Sequence, residues 1–555
     1  MKDAAHPGGG KWEWQLHFGS PASFCLLIGA MFVGLFNHRF WLEAGAAFWH
    51  GQVLELAYLF FLMLLLVLGH AGALALVPGR KALMAVSALL FPLASMAAYC
   101  ADTFGVAIDR EMLRNIGGTD QAEALALFGP RLAGYVIGLG ALPVLLVARS
   151  RIAPLPRRRE WRDRAAVIGS ALLLAAFMLA AFGQQVRELA YRQQALHYLL
   201  VPAAALQGMA DLIRDDRLAA DEAPADARAW SAKQEPPSAR PLLVFFVIGE
   251  TARHANFQLG GYSRPTNPEL QALGNVYYFG KTEACATSTA VSVPCMLSPL
   301  DRANFSMARA RQVPNALDAL QGAGVDVRWR SNNSGGRDSS ARVADVHLAD
   351  AEHDPRCQRG ACPDEVLLDG LEQTLAGLAG DAVIVFHTMG SHGPAYHART
   401  TYPPGQEPFR PACRQSQPRD CTREELLNAY DNTIHYTDHF LGTLVRTLQR
   451  QAARFDTALV YVSDHGESLG ERGIYLHSAP AAIAPEEQRH IPLLLWTSPG
   501  FLRRQALAPG CLDAVRQKPA SHDNIYHTLL GAMQVRSGWY RDDLDLLSVC
   551  RSAGN

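Results

Sequence analysis

The chain has almost no net charge, and it lacks the cysteine spacing of common zinc-binding modules. Its 51 lysines and arginines nearly balance 52 aspartates and glutamates, which leaves a formal net charge of −1 at pH 7. Nucleic-acid-binding chains usually carry an excess of positive charge, so we expect no nucleic-acid partner. Its ten cysteines include no Cys-x-x-Cys pair, which disfavours a structural zinc cluster. No internal repeat is visible either, which argues against a repeat architecture.

The first third of the chain also has few charges, and its apolar runs are long. Five runs approach or reach the roughly 20 residues that a helix needs to cross a membrane. They lie at about 21–37, 53–77, 82–100, 132–148 and 165–183. Buried core helices of a soluble protein are the alternative, but five such runs in succession favour a transmembrane domain. The first run lacks a convincing cleavage site, so we do not expect it to be a removed signal peptide.

Basic residues concentrate in alternate loops between these runs. One such loop contains Arg80 and Lys81, and another, at 149–164, holds seven arginines, whereas the opposite loops hold few. Because positive charge favours the cytoplasmic side, we predict a cytoplasmic N-terminus. Five crossings then place the remainder of the chain outside the bacterial inner membrane, in the periplasm of a Gram-negative cell.

Eight of the ten cysteines lie in the soluble region, where an oxidising compartment favours disulfides. Eight cysteines allow about a hundred pairings, so the sequence alone leaves the connectivity open. Three couples are close in sequence and a fourth remains by elimination. These couples are Cys285 with Cys295, Cys357 with Cys362, Cys413 with Cys421, and Cys511 with Cys550.

The region after the last apolar run divides into a linking part and a folded part. Residues 184–240 show helical periodicity and then a stretch rich in Ala, Asp, Glu and Pro, typical of a linker. From residue 241, buried-strand patterns alternate with helical segments. The strand patterns lie at 241–251, 325–333, 382–394, 458–468 and 491–500, and the clearest helix, at 422–449, opens with a capping box of Thr422 and Glu425. This alternation predicts an α/β sheet covered by helices on both faces. The predicted parts are a transmembrane domain at 1–183, bridging helices and a linker at 184–240, and a soluble α/β domain at 241–555.

Polar side chains follow several predicted strands at the points where the strands end. They are Glu250, Asn332, Asn333, His387, His392, Asp464 and His465. Ligands of such sheets bind beyond the carboxyl ends of the strands, so we expect these side chains to meet. A single His or Asp there is commonly a capping residue, but repetition over four strands favours a site. Carboxylates with an imidazole are zinc ligands. The candidate set is Glu250, Asp464 and His465, and the candidates for a second metal or a phosphate are His387, His392 and His477.

The stretch "CATSTAVSVPC" at 285–295 supplies three consecutive hydroxyl groups, those of Thr287, Ser288 and Thr289. The residues after them have a pattern that begins a helix, and the N–H groups at a helix N-terminus favour phosphate. A hydroxyl is a weak nucleophile near neutral pH and needs a base or a metal to activate it. A Ser/Thr-rich turn without chemistry is the alternative, so the residues alone leave the nucleophile open.

Five motifs follow one another along the soluble region. They are "GETARHANFQLGGYSRPTNP" (249–268), "CATSTAVSVPC" (285–295), "SNNSGG" (331–336), "HTMGSHGP" (387–394) and "SDHGESLGERGIYLHSAP" (463–480). In this order they resemble the phosphoethanolamine transferases that modify lipid A, the family that includes the mobile colistin-resistance enzymes. The resemblance covers nearly the whole chain. It implies a five-span α-helical transmembrane domain followed by an α/β periplasmic catalytic domain of the alkaline-phosphatase/sulfatase type.

The resemblance also implies a reaction and its central residues. It is a zinc-dependent transfer of phosphoethanolamine from phosphatidylethanolamine to a lipid A phosphate through a phosphoethanolamine–threonine intermediate, with polymyxin resistance as its consequence. Thr289 corresponds to the threonine nucleophile. Together with Glu250, Asp464 and His465 it corresponds to the ligands of one tightly bound zinc ion.

Other residues correspond to the family's substrate site. His392 and His477 match histidines that bind the phosphoethanolamine group or an additional zinc, and one of them is expected to transfer protons. Asn333 matches a substrate-contacting asparagine. Arg337 stands where the family often has lysine, so a fork-shaped guanidinium replaces a point charge. The matching motifs contain two further candidate substrate residues, Glu467 and His387.

The implied partners are phosphatidylethanolamine as donor, lipid A as acceptor and the lipids of the inner membrane, and we expect a monomer. The alternatives are transfer to a core sugar or a periplasmic glucan, a membrane-bound phosphatase, and a non-enzymatic sensor, which would have a broken ligand set. A sulfatase requires a CxPxR-type motif, and "CATSTAVSVPC" lacks that arginine. Structural roles are predicted for His435, His439, His522 and His527.

Overall fold

The computed structural model describes residues 15–118, 129–221, 231–234, 240–333, 337–343, 345–349, 353–357, 362–415 and 417–551. The chain forms two compact units. The first comprises Met1–Asp102 with Gly129–Leu206, and the second comprises Thr103–Phe128 with Gln207–Asn555. The domain boundaries that the sequence predicts after residues 183 and 240 remain predictions.

Helices dominate the chain up to residue 221. They are α1 (Pro21–Leu35), α2 (His38–Phe48), α3 (Val53–Ala75), α4 (Arg80–Phe104), α5 (Arg110–Gly118), α6 (Pro130–Tyr135), α7 (Leu142–Ala148), α8 (Arg157–Ala181), α9 (Gly183–Tyr191), α10 (Gln194–Leu199) and α11 (Ala203–Asp221). A π-helical stretch, Val136–Ala141, joins α6 and α7 into one helix of 19 residues. Two short strands, β1 (Leu16–Phe18) and β2 (Ser150–Ile152), pair in parallel within the first unit.

Within the described residues, four helices are long and apolar enough to cross a membrane: α3, α4, the joined helix Pro130–Ala148, and α8. The first apolar run forms only the 15 residues of α1, and the chain then bends by 68° into α2. Counting α1 and α2 as one broken span brings the number to five. The predicted fold class is confirmed, with four or five candidate spans.

A buried asparagine lies at the bend between α1 and α2. The amide of Asn37 donates to Phe32 O at 2.8 Å and to Val201 O at 2.7 Å, and its oxygen accepts from Val201 N at 2.8 Å. A side chain that bonds nearby backbone groups competes with the helical hydrogen bonds. The predicted continuous span is therefore interrupted by a polar side chain that serves another segment of the same unit.

The second unit is an α/β domain around an eight-stranded sheet. Its strands in the described residues are β3 (Ala232–Gln234), β4 (Leu242–Gly249), β5 (Val276–Glu283), β6 (Asp326–Ser331), β7 (Asp345–Leu348), β8 (Ala382–His387), β9 (Asp456–Ser463), β10 (Ser468–Leu469), β11 (Tyr475–Leu476), β12 (His490–Thr497), β13 (Ala520–Ser521) and β14 (Val535–Ser537). The order in the large sheet is β13-β5-β12-β9-β4-β8-β6-β7. The central strands are parallel, and β12 runs antiparallel between β9 and β5.

Helices cover both faces of this sheet. Those after residue 240 are α12 (Pro268–Ala272), α13 (Thr289–Leu297), α14 (Met307–Gln312), α15 (Ala316–Gly322), α16 (Arg337–Ser340), α17 (Leu371–Gly377), α18 (Arg423–Arg450), α19 (Pro499–Arg504), α20 (Cys511–Val515) and α21 (Asp523–Ala532). Every residue of β4 is buried, and alternate residues enter two separate cores. One core includes α13, α15 and α21, and the other includes α17 and α18. A strand buried on both faces explains why its sequence is one continuous apolar run.

The predicted strands correspond to β4, β6, β8, β9 and β12, and the predicted helix at 422–449 corresponds to α18. Thr422 caps α18 with the predicted capping box, since Glu425 N donates to Thr422 Oγ1 and Thr422 N donates to Glu425 Oε2. The other seven strands that the structure describes in this unit escape the sequence interpretation, and β3 and β5 show why. The strand β3 lies in the predicted linker and pairs with β14, and β5 has a half-exposed pattern rather than a continuous apolar run.

The structure forms all four predicted disulfide couples. Cys285–Cys295 joins the loop after β5 to α13, and Cys511–Cys550 joins α20 to the C-terminal region. The couples Cys357–Cys362 and Cys413–Cys421 close short loops. Each disulfide lowers the conformational entropy of the unfolded chain and thereby favours the folded state.

Candidate active site

Three potential metal ligands meet at the carboxyl ends of two adjacent parallel strands. Glu250 follows β4, and Asp464 and His465 follow β9, whose residue Ser463 pairs with Gly249. One ligand atom of each side chain lies within 4.8 Å of the ligand atoms of the other two. All three side chains are completely buried. The parallel register of β4 and β9 therefore creates the cluster, as the strand-end pattern predicts.

The protonation pattern of this cluster suits a cation. His465 Nδ1–H donates to Gly466 O at 2.9 Å, which leaves the lone pair of Nε2 directed at the carboxylates. Burial lowers the pKa of His465 to about 4, so the ring is neutral at pH 7. Asp464 Oδ1 accepts from Thr251 N at 3.1 Å and His465 N at 2.7 Å.

The surroundings of the second carboxylate oxygen of Asp464 show that these side chains are suited to bind a metal ion. Asp464 Oδ2 is buried and has no hydrogen-bond partner among the described residues. It lies 3.2 Å from His465 Nε2, so two lone-pair atoms face each other. Such an arrangement is repulsive unless a cation is shared between the atoms. Two carboxylates, one neutral imidazole and a nearby hydroxyl form a donor set that zinc accepts.

The nearby hydroxyl belongs to Thr289, the first residue of α13. Thr289 Oγ1 lies 3.0 Å from Glu250 Oε2 and 3.1 Å from His465 Nε2. The other two hydroxyls of the loop have different surroundings: Thr287 Oγ1 donates to Ala479 O at 2.7 Å, and Ser288 Oγ is buried without a partner in the described residues. Of the three candidates, the geometry brings Thr289 to the ligand cluster.

Local contacts shape the loop that carries Thr289. Ser292 Oγ accepts from Ala286 N at 3.1 Å and donates to Ala286 O at 3.0 Å, which folds the loop against α13. Ser478 N donates to Thr287 O at 2.7 Å, so the loop is also tied to the segment that contains His477. Thr289 is thus held at a helix N-terminus, where the backbone N–H groups favour a negatively charged ligand.

The two asparagines after β6 have different partners. Asn333 Nδ2 donates to Glu250 Oε2 at 2.6 Å and to Thr388 O at 3.1 Å, so this side chain orients a candidate metal ligand. Asn332 Nδ2 instead donates to Cys362 O and Asp364 Oδ1, both at 2.9 Å. The structure brings Asn333 to the cluster and turns Asn332 toward a supporting loop.

Two histidines and a glutamate lie beside the cluster. The ring of His477 lies 4.6 Å from the ring of His465 and 5.0 Å from the ring of His392, centre to centre. His477 Nδ1 is 3.4 Å from Glu467 Oε1. Burial raises the pKa of Glu467, although His477 opposes the shift, and burial lowers the pKa of His392 well below its usual value. The arrangement can hold and transfer protons beside His465 of the ligand cluster.

The remaining predicted substrate residues differ in placement. His387 is fully buried, where Ser331 Oγ lies 3.2 Å from its Nδ1 and the Trp329 ring packs against it edge-on. Burial lowers the pKa of His387 to about 4. The backbone of Arg337 begins α16, but its side chain lies outside the described residues.

Sequence reasoning missed Asp364. Its buried carboxylate accepts from Met389 N at 2.8 Å, from Gly390 N at 3.0 Å and from Asn332 Nδ2 at 2.9 Å. It thereby shapes the loop that leads to His392. No local motif distinguishes this aspartate, because its three partners lie on two other segments of the chain.

Comparisons with known proteins agree with this geometry. A family model described as Sulfatase matches residues 243–535, and one described as phosphoethanolamine transferase EptA/EptB matches residues 56–217. Phosphoethanolamine transferase EptA of Escherichia coli strain K12 is 38% identical over 470 residues, covering 84% of this chain and 85% of the relative. Phosphatidylethanolamine transferase Mcr-1 of Escherichia coli is 34% identical over 503 residues, covering 89% and 90%.

A solved structure is similar over nearly the full length. The integral membrane lipooligosaccharide phosphoethanolamine transferase A of Neisseria meningitidis has a TM-score of 0.90 and 30% sequence identity to this chain, covering 97% of this chain and 99% of that one. The similarity therefore includes both the helices near the N-terminus and the α/β domain. The chain belongs to the family of integral membrane phosphoethanolamine transferases, and it is an enzyme of the EptA and Mcr type.

Proposed function

We propose that this enzyme transfers phosphoethanolamine from phosphatidylethanolamine to a phosphate of lipid A in two steps, with Thr289 as the nucleophile and zinc as the metal. The observation that carries the proposal is the position of Thr289 Oγ1, 3.0 Å from Glu250 Oε2 and 3.1 Å from His465 Nε2 at the N-terminus of α13. An acceptor that contains lipid A is supported by a relative named Kdo(2)-lipid A phosphoethanolamine 7''-transferase of Escherichia coli strain K12, 30% identical over 308 residues.

The residues that would hold zinc are Glu250, Asp464, His465 and Thr289. Bound there, zinc would favour the alkoxide of the threonine and withdraw electron density from the phosphoryl group. Asn333 keeps Glu250 in place through its hydrogen bond to Oε2. The hydrogen bond from His465 Nδ1 to Gly466 O keeps the lone pair of Nε2 on the metal side.

In the first step Thr289 Oγ1 gives its proton to His392 or His477 and forms a bond to the phosphorus of phosphatidylethanolamine. The bond from phosphorus to the diacylglycerol oxygen breaks, and that oxygen takes a proton from His392 or His477. Diacylglycerol leaves, and phosphoethanolamine remains esterified to Thr289. The N–H groups at the start of α13 stabilise the negative charge of the phosphoryl oxygens.

In the second step an oxygen of a lipid A phosphate attacks the phosphorus of this ester. The bond between phosphorus and Thr289 Oγ1 breaks, and the threonine regains a proton. The same histidine, which lost its proton to diacylglycerol, accepts the proton of the acceptor and passes it to Thr289 Oγ1. The product gains an ammonium group, which reduces its net negative charge and weakens its attraction for cationic peptides such as polymyxins.

The same proposal places the protein as a monomer in the bacterial inner membrane. The arginine-rich loop at 149–164 supports a cytoplasmic N-terminus. Four disulfides in the second unit support an oxidising compartment for the α/β domain, which is the periplasm. Both substrates are lipids, which accounts for the membrane helices.

The test is expression in a polymyxin-sensitive Gram-negative host followed by mass spectrometry of lipid A. We expect one added phosphoethanolamine with the wild-type chain and none with Thr289→Ala. Ser288→Ala is the matched control, because it removes a neighbouring hydroxyl, and it should retain the transfer. Modification of a core sugar or a glucan instead of lipid A contradicts the acceptor assignment, and equal transfer by Thr289→Ala contradicts the nucleophile. Release of free phosphoethanolamine to water as the main product indicates a phosphatase.

A further inference from the structure

We propose that His522 is a positioning residue for phosphoethanolamine transfer: its neutral imidazole ties the loop that carries the nucleophile to the end of the strand that carries the metal ligands. The proposal rests on the function proposed above and adds a residue that sequence analysis assigned to packing. His522 immediately precedes α21 and is 1% exposed.

The ring of His522 makes one hydrogen bond with each nitrogen. Cys285 N donates to its Nδ1 at 3.0 Å, and its Nε2 donates to Ser463 O at 2.9 Å. A backbone N–H can only donate and a carbonyl can only accept, so the partners define the tautomer with hydrogen on Nε2. Burial lowers the pKa of His522 to about 4, which agrees with a neutral ring. An imidazole is well suited to this bridge, because its acceptor and donor are fixed on one rigid plane.

One end of the bridge lies at the start of the nucleophile loop. Cys285 is four positions before Thr289, and it is covalently joined to α13 through Cys295. The next residue, Ala286, is held by both hydrogen bonds of Ser292. A displacement of Cys285 is therefore transmitted to both the first turn of α13 and the hydroxyl of Thr289.

The other end lies directly before the metal ligands. The peptide group of Ser463 precedes Asp464, and Ser463 Oγ accepts from Ala252 N and donates to His465 O, both at 2.8 Å. Asp464 N donates to Gly249 O at 2.9 Å. The turn that carries two ligands is thus fixed to β4 on one side and to His522 on the other.

The position of His522 itself is well defined. Strand β13 pairs with β5 in parallel, with Ser521 opposite Glu283, and His522 N donates to Glu283 O at 3.1 Å. Asp523 Oδ1 accepts from Arg302 N at 2.7 Å. Hydrogen bonds on both sides of the residue therefore hold the ring against the end of β5, from which the nucleophile loop departs.

Three substitutions separate the two hydrogen bonds. The amide of His522→Asn lies near the position of Nδ1 and keeps an acceptor for Cys285 N. The amide of His522→Gln reaches the position of Nε2 and keeps a donor for Ser463 O. His522→Leu keeps an apolar side chain of related size and removes both bonds.

His527→Asn and His527→Leu are the matched controls. His527 lies on α21, the helix that His522 precedes, is also 1% exposed, and accepts a backbone hydrogen bond from Arg541 N at 3.1 Å through its Nδ1. Its partner belongs to the C-terminal region rather than to the nucleophile loop. Substitution at either position therefore removes a buried histidine in or next to α21. Only substitution of His522 removes the link between the nucleophile loop and β9.

The experiment uses the full chain in detergent micelles with phosphatidylethanolamine as substrate. Three quantities are measured for each variant: kcat and KM for diacylglycerol release, the rate of Thr289 esterification by mass spectrometry, and the zinc content. We expect His522→Leu to reduce kcat and the esterification rate about 10- to 100-fold at nearly unchanged KM, the range seen when a residue that orients a metal-site group is removed. His522→Asn and His522→Gln should each recover part of the loss, and both His527 variants should retain wild-type kcat.

The proposal is overturned if His522→Leu esterifies Thr289 at the wild-type rate. It is also overturned if the His527 variants lose kcat to the same extent, or if Asn and Gln recover nothing relative to Leu, because either result indicates general packing. A wild-type chain that releases diacylglycerol without esterifying Thr289 instead contradicts the two-step function, and that outcome is read from the wild type alone.

Discussion

The two sides of the active site are held by different kinds of contact. The ligand side consists of Glu250, Asp464 and His465, which follow β4 and β9. These two strands are adjacent and parallel in the middle of the sheet, and all their residues are buried. Thr289 emerges from a loop near the edge of the sheet, and a disulfide, Ser292 and His522 hold that loop. The ligand side is positioned by main-chain pairing, and the nucleophile side is positioned by side chains that can be removed one at a time.

The largest effect is expected on the ligand side. Asp464→Asn replaces an ionised ligand by an amide, so we expect zinc content and transfer to fall by at least about 100-fold, since loss of a group that merely orients a ligand costs about 10- to 100-fold. Elemental analysis of the purified chain and the lipid A assay measure the two quantities. Asp456→Asn, at the opposite end of β9, is the control and should keep its zinc. Wild-type zinc content in Asp464→Asn would contradict the ligand assignment.

Removal of the Cys285–Cys295 disulfide tests the nucleophile side. With a sequence separation of 10 residues, the double substitution to serine should cost about 2–3 kcal/mol of stability. We expect it also to slow Thr289 esterification about 10- to 100-fold, because a displaced nucleophile loses its alignment with the phosphorus. Zinc content should remain close to that of the wild type, since the ligands are held by β4 and β9.

The Cys511–Cys550 disulfide provides the matched comparison. Its sequence separation is 39, so the equivalent double substitution should cost more stability, about 4 kcal/mol. The esterification rate per folded molecule should nevertheless stay at the wild-type value, because the backbone N–H groups of these cysteines donate to Ala508 and Leu547 and not to the nucleophile loop. Equal rates for the two double variants would show that the disulfide at Cys285 does not position Thr289.

A smaller effect, on stability alone, is expected from the pH dependence of His527, a buried histidine of α21 whose hydrogen-bond partner lies outside the nucleophile loop. Burial lowers the pKa of His527 from 6.5 to about 4. Between these values the unfolded chain binds a proton that the folded chain does not, so stability is fully present above pH 6.5 and is lost as the pH falls toward 4. The loss at pH 5 should be about 2 kcal/mol. His527→Asn should show a smaller drop of the thermal midpoint between pH 7 and pH 5 than the wild type, and an equal drop would contradict the assignment.

The smallest effect is expected at the N-terminus of α18. Thr422→Ala removes the N-cap of α18 and should cost about 1 kcal/mol of stability. The capping hydrogen bonds involve only Glu425 and the first turn of the helix. Transfer activity at temperatures well below the thermal midpoint should not change, and a reduced kcat there would show that α18 influences the site.

The ligand side was the more predictable part of the molecule. A strand buried on both faces has a continuous apolar sequence, so β4 and β9 could be located, and the polar residues after them indicated the edge where they meet. The strand β5 alternates between buried and partly exposed residues and has no such run. The first apolar run was predicted as one span, but Asn37 bonds to Val201, a contact between residues 164 positions apart.

Local sequence patterns predicted the membrane helices, the α/β class, the candidate ligands and the short disulfide loops, because each depends on local hydrophobicity or on residues close together in the chain. The family resemblance indicated Thr289, and the structure brings its hydroxyl to Glu250. The roles of Asp364 in the loop before His392 and of His522 between Cys285 and Ser463 became visible in the folded structure alone. The physical reason is that a hydrogen bond between distant segments depends on the folded backbone of both partners. The sequence around either partner therefore contains no local pattern that predicts such a hydrogen bond.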